Sequence, residues 1–410
     1  MQVCKLDVTA YVLGACLFMV AVVSVAQPTS IKQLAQLNAS DGSANDLFGY
    51  SVAINSNTIV VGAPSARGGL GAAYVFVKGS KGWATGTQTA ELTPSDGSLN
   101  GFFGFSVAIS GSTIVVGAPY ENNFHGGVYV FAEPAGGWAN MTETAKLDDG
   151  SEHELGWSVG ISGSTVATGS EFTNAAYVFS EPAGGWKSTS TFTAKLTSSD
   201  TVNNDYFGFS ISLEEKTIAI GSPYATYDGG PGIGAAYVYN EPSSGWTTTQ
   251  TYNAKLTPSD GMLDDYFGCS VSVAANTVLV GASLETVNSK RDVGAAYVFL
   301  HPVGQTFETA KLTSSSAKAS SLFGTAVAIS PQGDKAVIGA TGISLGAAYE
   351  YLKPASGWKT TSTSHATLTK SPATQSFGNA VALIESFAVV GNPYVNGDNT
   401  PGTAYVFAFQ

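Results

Sequence analysis

The chain repeats one motif seven times, and this periodicity limits its possible folds more than any other feature. The segment FFGFSVAISGSTIVVGAPYENNFHGGVYVF covers residues 102–131, and related segments occur throughout the chain. Each contains a Phe-Gly or Leu-Gly pair, whose glycines are Gly49, Gly104, Gly156, Gly208, Gly268, Gly324 and Gly378. Successive repeats are therefore 55, 52, 52, 60, 56 and 54 residues apart. Self-similarity at a nearly fixed spacing indicates one array of equivalent units, each packed against its neighbours.

Each repeat contains four short stretches of β-forming residues. In the second repeat these stretches are GFSVAIS, TIVVGAP, GVYVF and TETAKL, and the Gly-Ser pair between the first two is typical of a tight hairpin. A single four-stranded unit is too small to bury both faces, whereas a closed ring lets every unit pack between two others. We therefore predict an all-β fold, a seven-bladed β-propeller of four-stranded antiparallel blades. A linear β-solenoid is the alternative, but its coils are usually shorter than these repeats.

The two ends of the chain complement each other. The last repeat stops at Gln410, directly after its third strand, while IKQLAQLNASDG at residues 31–42 matches the fourth-strand segments TQTAELTPSDG and TYNAKLTPSDG. We predict that residues 31–38 pair with residues 404–409, complete blade 7 and close the ring. This pairing would also cover two strand edges that are otherwise open.

The first 26 residues predict a secretory signal peptide. An apolar run at residues 11–25 follows Lys5, and the small residues Ser24 and Ala26 have the spacing of a cleavage site. We expect cleavage after Ala26, which leaves residues 27–410 as a single propeller domain without a membrane span. An uncleaved anchor is the alternative. The expected location is extracellular, or periplasmic or cell-surface if the source is bacterial.

Charge and cysteine content narrow the possible partners. The formal net charge of −12 argues against nucleic acid. After signal cleavage only Cys269 remains, so we expect no internal disulfide. Cys269 follows a motif glycine where other repeats have aromatic residues, so we expect a small buried residue there. A reactive thiol is the alternative.

The pattern FGFSVAI, VVGAP and YVF resembles the FG-GAP repeat of the integrin α-subunit N-terminal propeller, over about residues 31–410. The resemblance implies the propeller fold, since seven copies agree in order and spacing, whereas function depends on the sites that the fold carries. Several family repeats carry an acidic DxDxDG calcium loop between the first and second strands, yet the links here read NSN, SGS, SGS, EEK, AAN, PQGD and IES. The carboxylates of Glu214, Glu215 and Asp334 are too few to supply the six or more oxygens that calcium takes. We therefore predict no metal site and no cofactor.

In the family, aromatic residues after the motif glycine help to form a cage for a basic residue of the integrin β-subunit. Four residues of this sequence fit the cage, and three do not. The fitting residues are Tyr50, Phe105, Trp157 and Phe209, and the others are Cys269, Thr325 and Asn379. The alternative for the aromatic four is simple packing near the centre of the ring.

Loops that differ between repeats are where recognition usually lies on a repeated scaffold. The links between strands two and three, and between strands four and one, vary from blade to blade and should emerge on the same face. The candidate ligand-binding residues there are Tyr120, Glu121, Phe124, Glu171, Phe172, Tyr224, Tyr227, Asp228, Tyr394 and Asp398. Further carboxylates precede the first strands, at Asp46, Asp205, Asp264 and Asp265. Aromatic rings beside carboxylates and amides suit sugars or basic protein segments.

The links between strands three and four repeat one formula, as in EPAGGW, EPSSGW and KPASGW, with HPVGQTF the exception. The five tryptophans of this formula are either sugar-stacking platforms or packing residues. They are Trp83, Trp138, Trp186, Trp246 and Trp358. Asn38 and Asn140 lie in N-glycosylation sequons, which a eukaryotic secretory pathway would use.

We therefore predict a secreted, non-catalytic propeller that acts in cell adhesion or in extracellular recognition of protein or glycan. One alternative is a glycan-active enzyme that uses loop carboxylates. The other is a structural component of the extracellular matrix or cell surface. The four histidines lie in different repeats without metal-ligand spacing, and the sequence contains no common catalytic motif.

Overall fold

The computed structural model describes residues 29–31, 33–151, 153–200, 202, 204–225, 232–316, 318–342, 346–370, 374, 376–394 and 401–409. In this part of the chain the strands form seven sheets, each built on four antiparallel strands. The predicted seven-bladed, all-β propeller is therefore confirmed. The signal peptide predicted at residues 1–26 lies outside the described residues.

The four strands of each blade follow one another in the sheet, and we number the blades by their motif glycines. The first strands are Ser51–Ile54, Ser106–Ser110, Ser158–Ser162, Ser210–Glu214, Phe267–Ala274, Phe323–Ile329 and Val381–Ile384. The second strands are Thr58–Ala63, Thr113–Ala118, Thr165–Ser170, Thr217–Ser222, Thr277–Ala282, Lys335–Ala340 and Phe387–Asn392. The third strands are Ala72–Val77, Gly127–Ala132, Ala175–Ser180, Ala235–Asn240, Ala295–Leu300, Ala347–Leu352 and Thr403–Ala408. The fourth strands are Ala90–Leu92, Ala145–Leu147, Ala194–Leu196, Ala254–Leu256, Ala310–Leu312, Ala366–Leu368 and Gln33–Asn38.

The ring is closed by a strand from near the start of the chain. Gln33–Asn38 pairs antiparallel with Thr403–Ala408, placing Gln36 opposite Tyr405 and Leu37 opposite Ala404. The first strands contact one another around the centre, and that of blade 7 contacts that of blade 1. The predicted closure of blade 7 is thus confirmed, with Ile31 belonging instead to a separate short strand, Thr29–Ile31.

Each blade also covers the outer edge of the blade before it. Three short strands pair in parallel with a preceding fourth strand: Thr29–Ile31 with Ala366–Leu368, Gly86–Thr87 with Gln33–Asn38, and Gly304–Thr306 with Ala254–Leu256. Isolated bridges make the same contact elsewhere, joining Leu92 to Met141, Leu147 to Thr189, Leu196 to Thr249 and Leu312 to Thr361. All seven outer strands therefore have a neighbour, which limits pairing with other chains.

The motif contains two glycines, one in the Phe-Gly pair and one in the second strand, and the backbone requires each for a different reason. The motif glycines have φ of 93–99°, a left-handed conformation that suits glycine. A second glycine, in the second strand, touches the motif glycine of the next blade. A Cβ on Gly62 would lie 2.0 Å from the carbonyl oxygen of Gly104, and one on Gly391 would lie 2.0 Å from that of Gly49. The second contact joins blade 7 to blade 1, so the same interlock runs around the whole ring.

The hydrophobic core is divided among the blade interfaces. Seven clusters of buried residues each combine side chains from two adjacent blades. At the closure, Ala35 and Leu37 pack with Val52 and Tyr74 of blade 1 and with Val406 of blade 7. Every blade is therefore stabilised through its neighbours, as the repeat pattern predicts.

The strand order gives the ring two faces. We call the face that carries the links between strands two and three, and between strands four and one, the loop face. We call the opposite face, with the hairpins between strands one and two and the links between strands three and four, the hairpin face. Two short turns, Ala66–Gly69 and Glu121–Phe124, lie in links of the loop face, and each contains at least two residues with a left-handed φ.

Candidate functional site

A row of four aromatic rings, tilted against one another by 43–50°, lies at the inner edge of the loop face. Tyr50, Phe105, Trp157 and Phe209 follow the motif glycines of blades 1–4, where the first strands begin. Neighbouring ring centroids are 5.0 Å apart for Tyr50 and Phe105, 4.8 Å for Phe105 and Trp157, and 5.8 Å for Trp157 and Phe209. All four rings are half-buried, so they pack against one another and still reach solvent.

A second group of side chains comes from the residue before the motif Phe or Leu. This residue has a positive φ in six blades, at Leu47, Phe102, Glu154, Tyr206, Tyr266 and Leu322. A left-handed backbone is uncommon for bulky residues and costs on the order of 1–3 kcal/mol. It brings Tyr266 to 5.5 Å from Phe209 and Phe102 to 5.4 Å from Tyr120. The position therefore adds side chains to the loop face around the first four rings.

A third group comes from the predicted recognition links. The Tyr120 ring lies 5.2 Å from Phe124 and 6.3 Å from Trp157, while the Tyr224 ring lies 5.1 Å from Tyr266. Ring contacts thus connect ten partly exposed side chains, which we call the aromatic cluster. They are Tyr50, Phe102, Phe105, Tyr120, Phe124, Trp157, Tyr206, Phe209, Tyr224 and Tyr266.

Two carboxyl groups accompany the aromatic cluster. Burial, with a smaller contribution from the Glu154 carboxyl, raises the pKa of Glu171 to about 8. Burial also raises the pKa of Glu154. Tyr50, Tyr120 and Tyr266 have pKa values raised chiefly by burial, and the Glu171 charge adds to each. The Glu171 carboxyl therefore acts electrostatically on tyrosines of blades 1, 2 and 5.

Other candidate residues occupy different positions. Tyr394 is 55% exposed, and its electrostatic effect contributes to the raised pKa of Tyr50. Phe172 is 72% exposed on the same link as Glu171. Glu121 is buried, and its carboxylate accepts hydrogen bonds from the backbone N–H groups of Ser98 (3.1 Å) and Asn122 (3.2 Å). It therefore holds two loops together below the surface. Tyr227, Asp228 and Asp398 lie outside the described residues.

The aspartates before the first strands mainly organise their own loops. Asp46, Asp205 and Asp265 are buried, and each accepts a hydrogen bond from the backbone N–H three residues earlier. Only Asp264 of the four is exposed. This arrangement satisfies backbone donors at the bends that lead into the motif.

The five tryptophans of the links between strands three and four, and Cys269, are packing residues. Trp83, Trp138, Trp186, Trp246 and Trp358 are each only 4–6% exposed, so their faces are not open for sugar stacking. Cys269 is buried, burial raises the pKa of its thiol, and its Sγ lies 3.5 Å from the carbonyl oxygen of Gly324. A thiol in this environment is unreactive.

No three His, Cys, Asp or Glu side chains converge as a metal site within the described ranges, and the predicted lack of a cofactor stays a prediction. Likewise, no helix in the described part of the chain is long and apolar enough for a bilayer crossing. Of the two sequon asparagines, Asn140 is exposed and its Oδ1 accepts the Glu91 N–H at 2.8 Å, while Asn38 is half-buried. Their glycosylation stays a prediction.

Sequence reasoning missed Phe102, Glu154, Tyr206 and Tyr266 as members of the site. The available signal was positional, because large side chains recur at the same place before the motif in six repeats. The pattern does not reveal that this place has a positive φ.

Seven antiparallel blades and a loop face rich in accessible aromatic side chains define the class of protein, a β-propeller of the kind that serves as a binding module. The sequence profile described as FG-GAP repeat matches residues 31–76, 87–131, 190–239, 251–299 and 306–351, which is more than half of the chain. The chain therefore belongs to the FG-GAP repeat family. No curated protein matches it. The matches leave out the third repeat, where the motif reads LG, and the seventh, yet both form blades.

Proposed function

We propose that this protein is a secreted, non-catalytic recognition module that binds an extracellular protein or glycan through the aromatic cluster. The observation that carries the proposal is the cluster itself, ten connected rings that all keep surface in solvent. Membership of the FG-GAP repeat family and the signal-like first 26 residues support an extracellular role.

The carboxyl groups favour a basic protein segment over a neutral sugar as the ligand. A Lys or Arg side chain over aromatic rings gains a cation–π interaction, and this gain increases when the site is desolvated. Glu171 and Glu154 would add opposite charge beside it, and the net charge of −12 would speed the approach of a basic partner. The family resemblance points in the same direction, because the matching rings in integrins receive a basic residue.

The central test is a binding screen with the Trp157→Ala variant. The residue 27–410 chain is applied to a glycan array and to a panel of basic peptides, and we expect selective binding to members of one panel. Trp157 contacts three other rings of the cluster, so its truncation should weaken that binding at least about tenfold. Phe307→Ala, which removes a 53% exposed ring from a hairpin-face link, is the matched control and should bind normally. Absence of selective binding to both panels would contradict the proposal and favour a structural matrix or surface component.

Binding of a basic peptide should strengthen as the pH rises from 7 to 9. Glu171 has a pKa of about 8 in the free protein, so it is mostly protonated at pH 7 and gains its charge across this interval. A bound cation stabilises the ionised form, so affinity must increase as that form becomes populated. The Glu171→Gln variant should bind the basic peptide weakly, and its affinity should not change with pH. Titration calorimetry measures both effects. A pH-independent affinity in the unmodified protein would argue against contact between Glu171 and the ligand cation.

One observation favours a glycan-active enzyme as the second candidate. Glu171 stays largely protonated at neutral pH beside a second carboxyl and among rings that suit sugar stacking, and a protonated carboxyl is the general acid of glycoside cleavage. Product analysis of the bound glycans separates the two functions. New reducing ends that disappear with Glu171→Gln would favour the enzyme.

A further inference from the structure

Five blades fill one equivalent position of the hairpin face with a buried indole. The tryptophans of blades 1, 2, 3, 4 and 6 each belong to a core cluster shared with the preceding blade. Trp83 of blade 1 packs edge-on against Phe387 of blade 7, with centroids 6.5 Å apart. Trp358 of blade 6 donates its Nε1–H to the Gly333 carbonyl oxygen at 3.2 Å. The indole thus plugs the groove between two blades.

The link of blade 5 begins and ends at the same hydrogen-bonded positions as the other links, but it has no tryptophan. His301 N–H donates to the Asn276 carbonyl oxygen at 2.8 Å, as Glu241 N–H does to Lys216 in blade 4. The register also matches at the end of the link. The Thr306 carbonyl oxygen accepts a hydrogen bond from the Thr257 N–H of blade 4. In the same way, the Thr249 carbonyl oxygen of blade 4 accepts one from the Thr197 N–H of blade 3. Eight residue steps separate Glu241 from Thr249, but only five separate His301 from Thr306. The residues that are missing include the tryptophan, and the 4–5 cluster contains none.

A cleft of about 440 Å³ lies between blades 4 and 5, beside the shortened link, and includes Pro302 and Val303 of that link in its lining. Its apolar walls come from Val238 of blade 4 and from Val273 and Val278 of blade 5, which are all buried members of the 4–5 cluster. The volume falls within the roughly 300–1,000 Å³ of typical ligand pockets. These three valines are at most 8% exposed, so the apolar surface that an entering side chain would meet first belongs to Val303, a lining residue that is 79% exposed.

The mouth of the cleft is acidic and open to solvent. Glu214 and Glu215 lie at its rim, and both are exposed. The two carboxylates are neighbours in the sequence and repel each other, so a nearby positive charge would stabilise the ionised pair. Lys216 of the same hairpin is paired with Glu241 at 3.8 Å. His301 and Asn276, also at the rim, are exposed and polar.

We propose that this cleft binds a tryptophan side chain of a partner protein, presented in a segment with basic residues next to the tryptophan. The indole takes the position that the chain's own tryptophans fill in five other blades. The flanking cations face Glu214 and Glu215. The site lies on the hairpin face, so it is separate from the aromatic cluster and does not depend on the function proposed for that cluster.

The test uses a blocked, fluorescently labelled Arg-Trp-Arg peptide and two plugged variants. In the first, residues 302–306 (PVGQT) are replaced by PSSGWTTT, the sequence of residues 242–249, which restores the missing indole. In the second, Asn240→Trp places an indole at the exposed cleft edge, in case the graft does not fold. We expect fluorescence anisotropy to show saturable binding to the unmodified chain and at least tenfold weaker binding to both plugged variants.

Further peptides and variants test the contribution of charge to binding and the position of the binding site. Arg-Ala-Arg and Glu-Trp-Glu peptides should bind at least tenfold more weakly than Arg-Trp-Arg, and the double variant Glu214→Gln, Glu215→Gln should weaken Arg-Trp-Arg several-fold. Leu99→Ala, which truncates a 68% exposed side chain in a loop-face link outside the aromatic cluster, should leave this binding unchanged. The proposal is overturned if the unmodified chain does not bind Arg-Trp-Arg or if binding survives both plugs.

Discussion

A chain that begins at Ala39 is expected to lose its cooperative unfolding transition. This truncation removes Gln33–Asn38, so Thr403–Ala408 loses an antiparallel neighbour and becomes an open edge. It also removes Ala35 and Leu37, which are at most 1% exposed, from the core between blades 7 and 1. Loss of one closing strand opens two interfaces at once, and the cost should approach the roughly 5–15 kcal/mol by which whole domains are stable.

The matched control is the chain that begins at Gln27, which keeps the closing strand. Thermal unfolding followed by circular dichroism should give a sharp transition for this control and a broad, lower one for the truncated chain. Size-exclusion chromatography should show self-association of the truncated chain through its open edge. Equal transition temperatures and equal sharpness in the two chains would mean that the strand is not needed to hold the ring closed.

Gly117→Ala, at one of the interlocking glycines, should strongly destabilise the ring. The new Cβ would lie 2.1 Å from the Gly156 carbonyl oxygen of blade 3 and 2.3 Å from Ser106 Oγ. Gly156 cannot move away easily, since a Cβ built on it would lie 2.5 Å from the Gly127 carbonyl oxygen. The substitution would also disturb the 2.8 Å hydrogen bond from Ser106 Oγ to Gly156. Overpacking usually costs about 1–3 kcal/mol, and a clash with rigid backbone belongs at or above the top of that range.

Gly136→Ala provides the control within the same blade, because a Cβ added at Gly136 would meet nothing within 4 Å. Urea unfolding should give a clearly lower midpoint for Gly117→Ala, with little change for Gly136→Ala. If both variants unfold at the midpoint of the unmodified chain, the interlock of glycines does not limit the approach of neighbouring blades.

The sequence was sufficient for the architecture because the constraints on blade contact are local and recur. Gly62 and Gly104 mark the contact of blades 1 and 2, and equivalent pairs mark the others at the same spacing. The absence of a fourth strand in the last repeat was equally informative, since a matching segment remained unassigned near the start of the chain. Both arguments need only positions along the chain.

The site was less predictable because side-chain direction depends on backbone angles that the pattern does not encode. Tyr266 reaches the aromatic cluster because its φ is 63°, whereas a strand-like φ would turn its side chain elsewhere. Glu121 lies in a variable link, yet two backbone N–H groups hold its carboxylate below the surface. The exceptional link HPVGQTF is visible in the sequence, but whether neighbours fill the missing indole's place depends on packing in three dimensions.

The pairing of Gln33 with Phe407 places the start of the closing strand beside the end of the last strand, at the rim of the hairpin face. A tether attached to either end would therefore leave from that side of the disc. The ten rings on the other side would point outward, away from whatever the tether holds. Immobilising the protein through a terminal tag should accordingly keep its aromatic surface free for capture experiments.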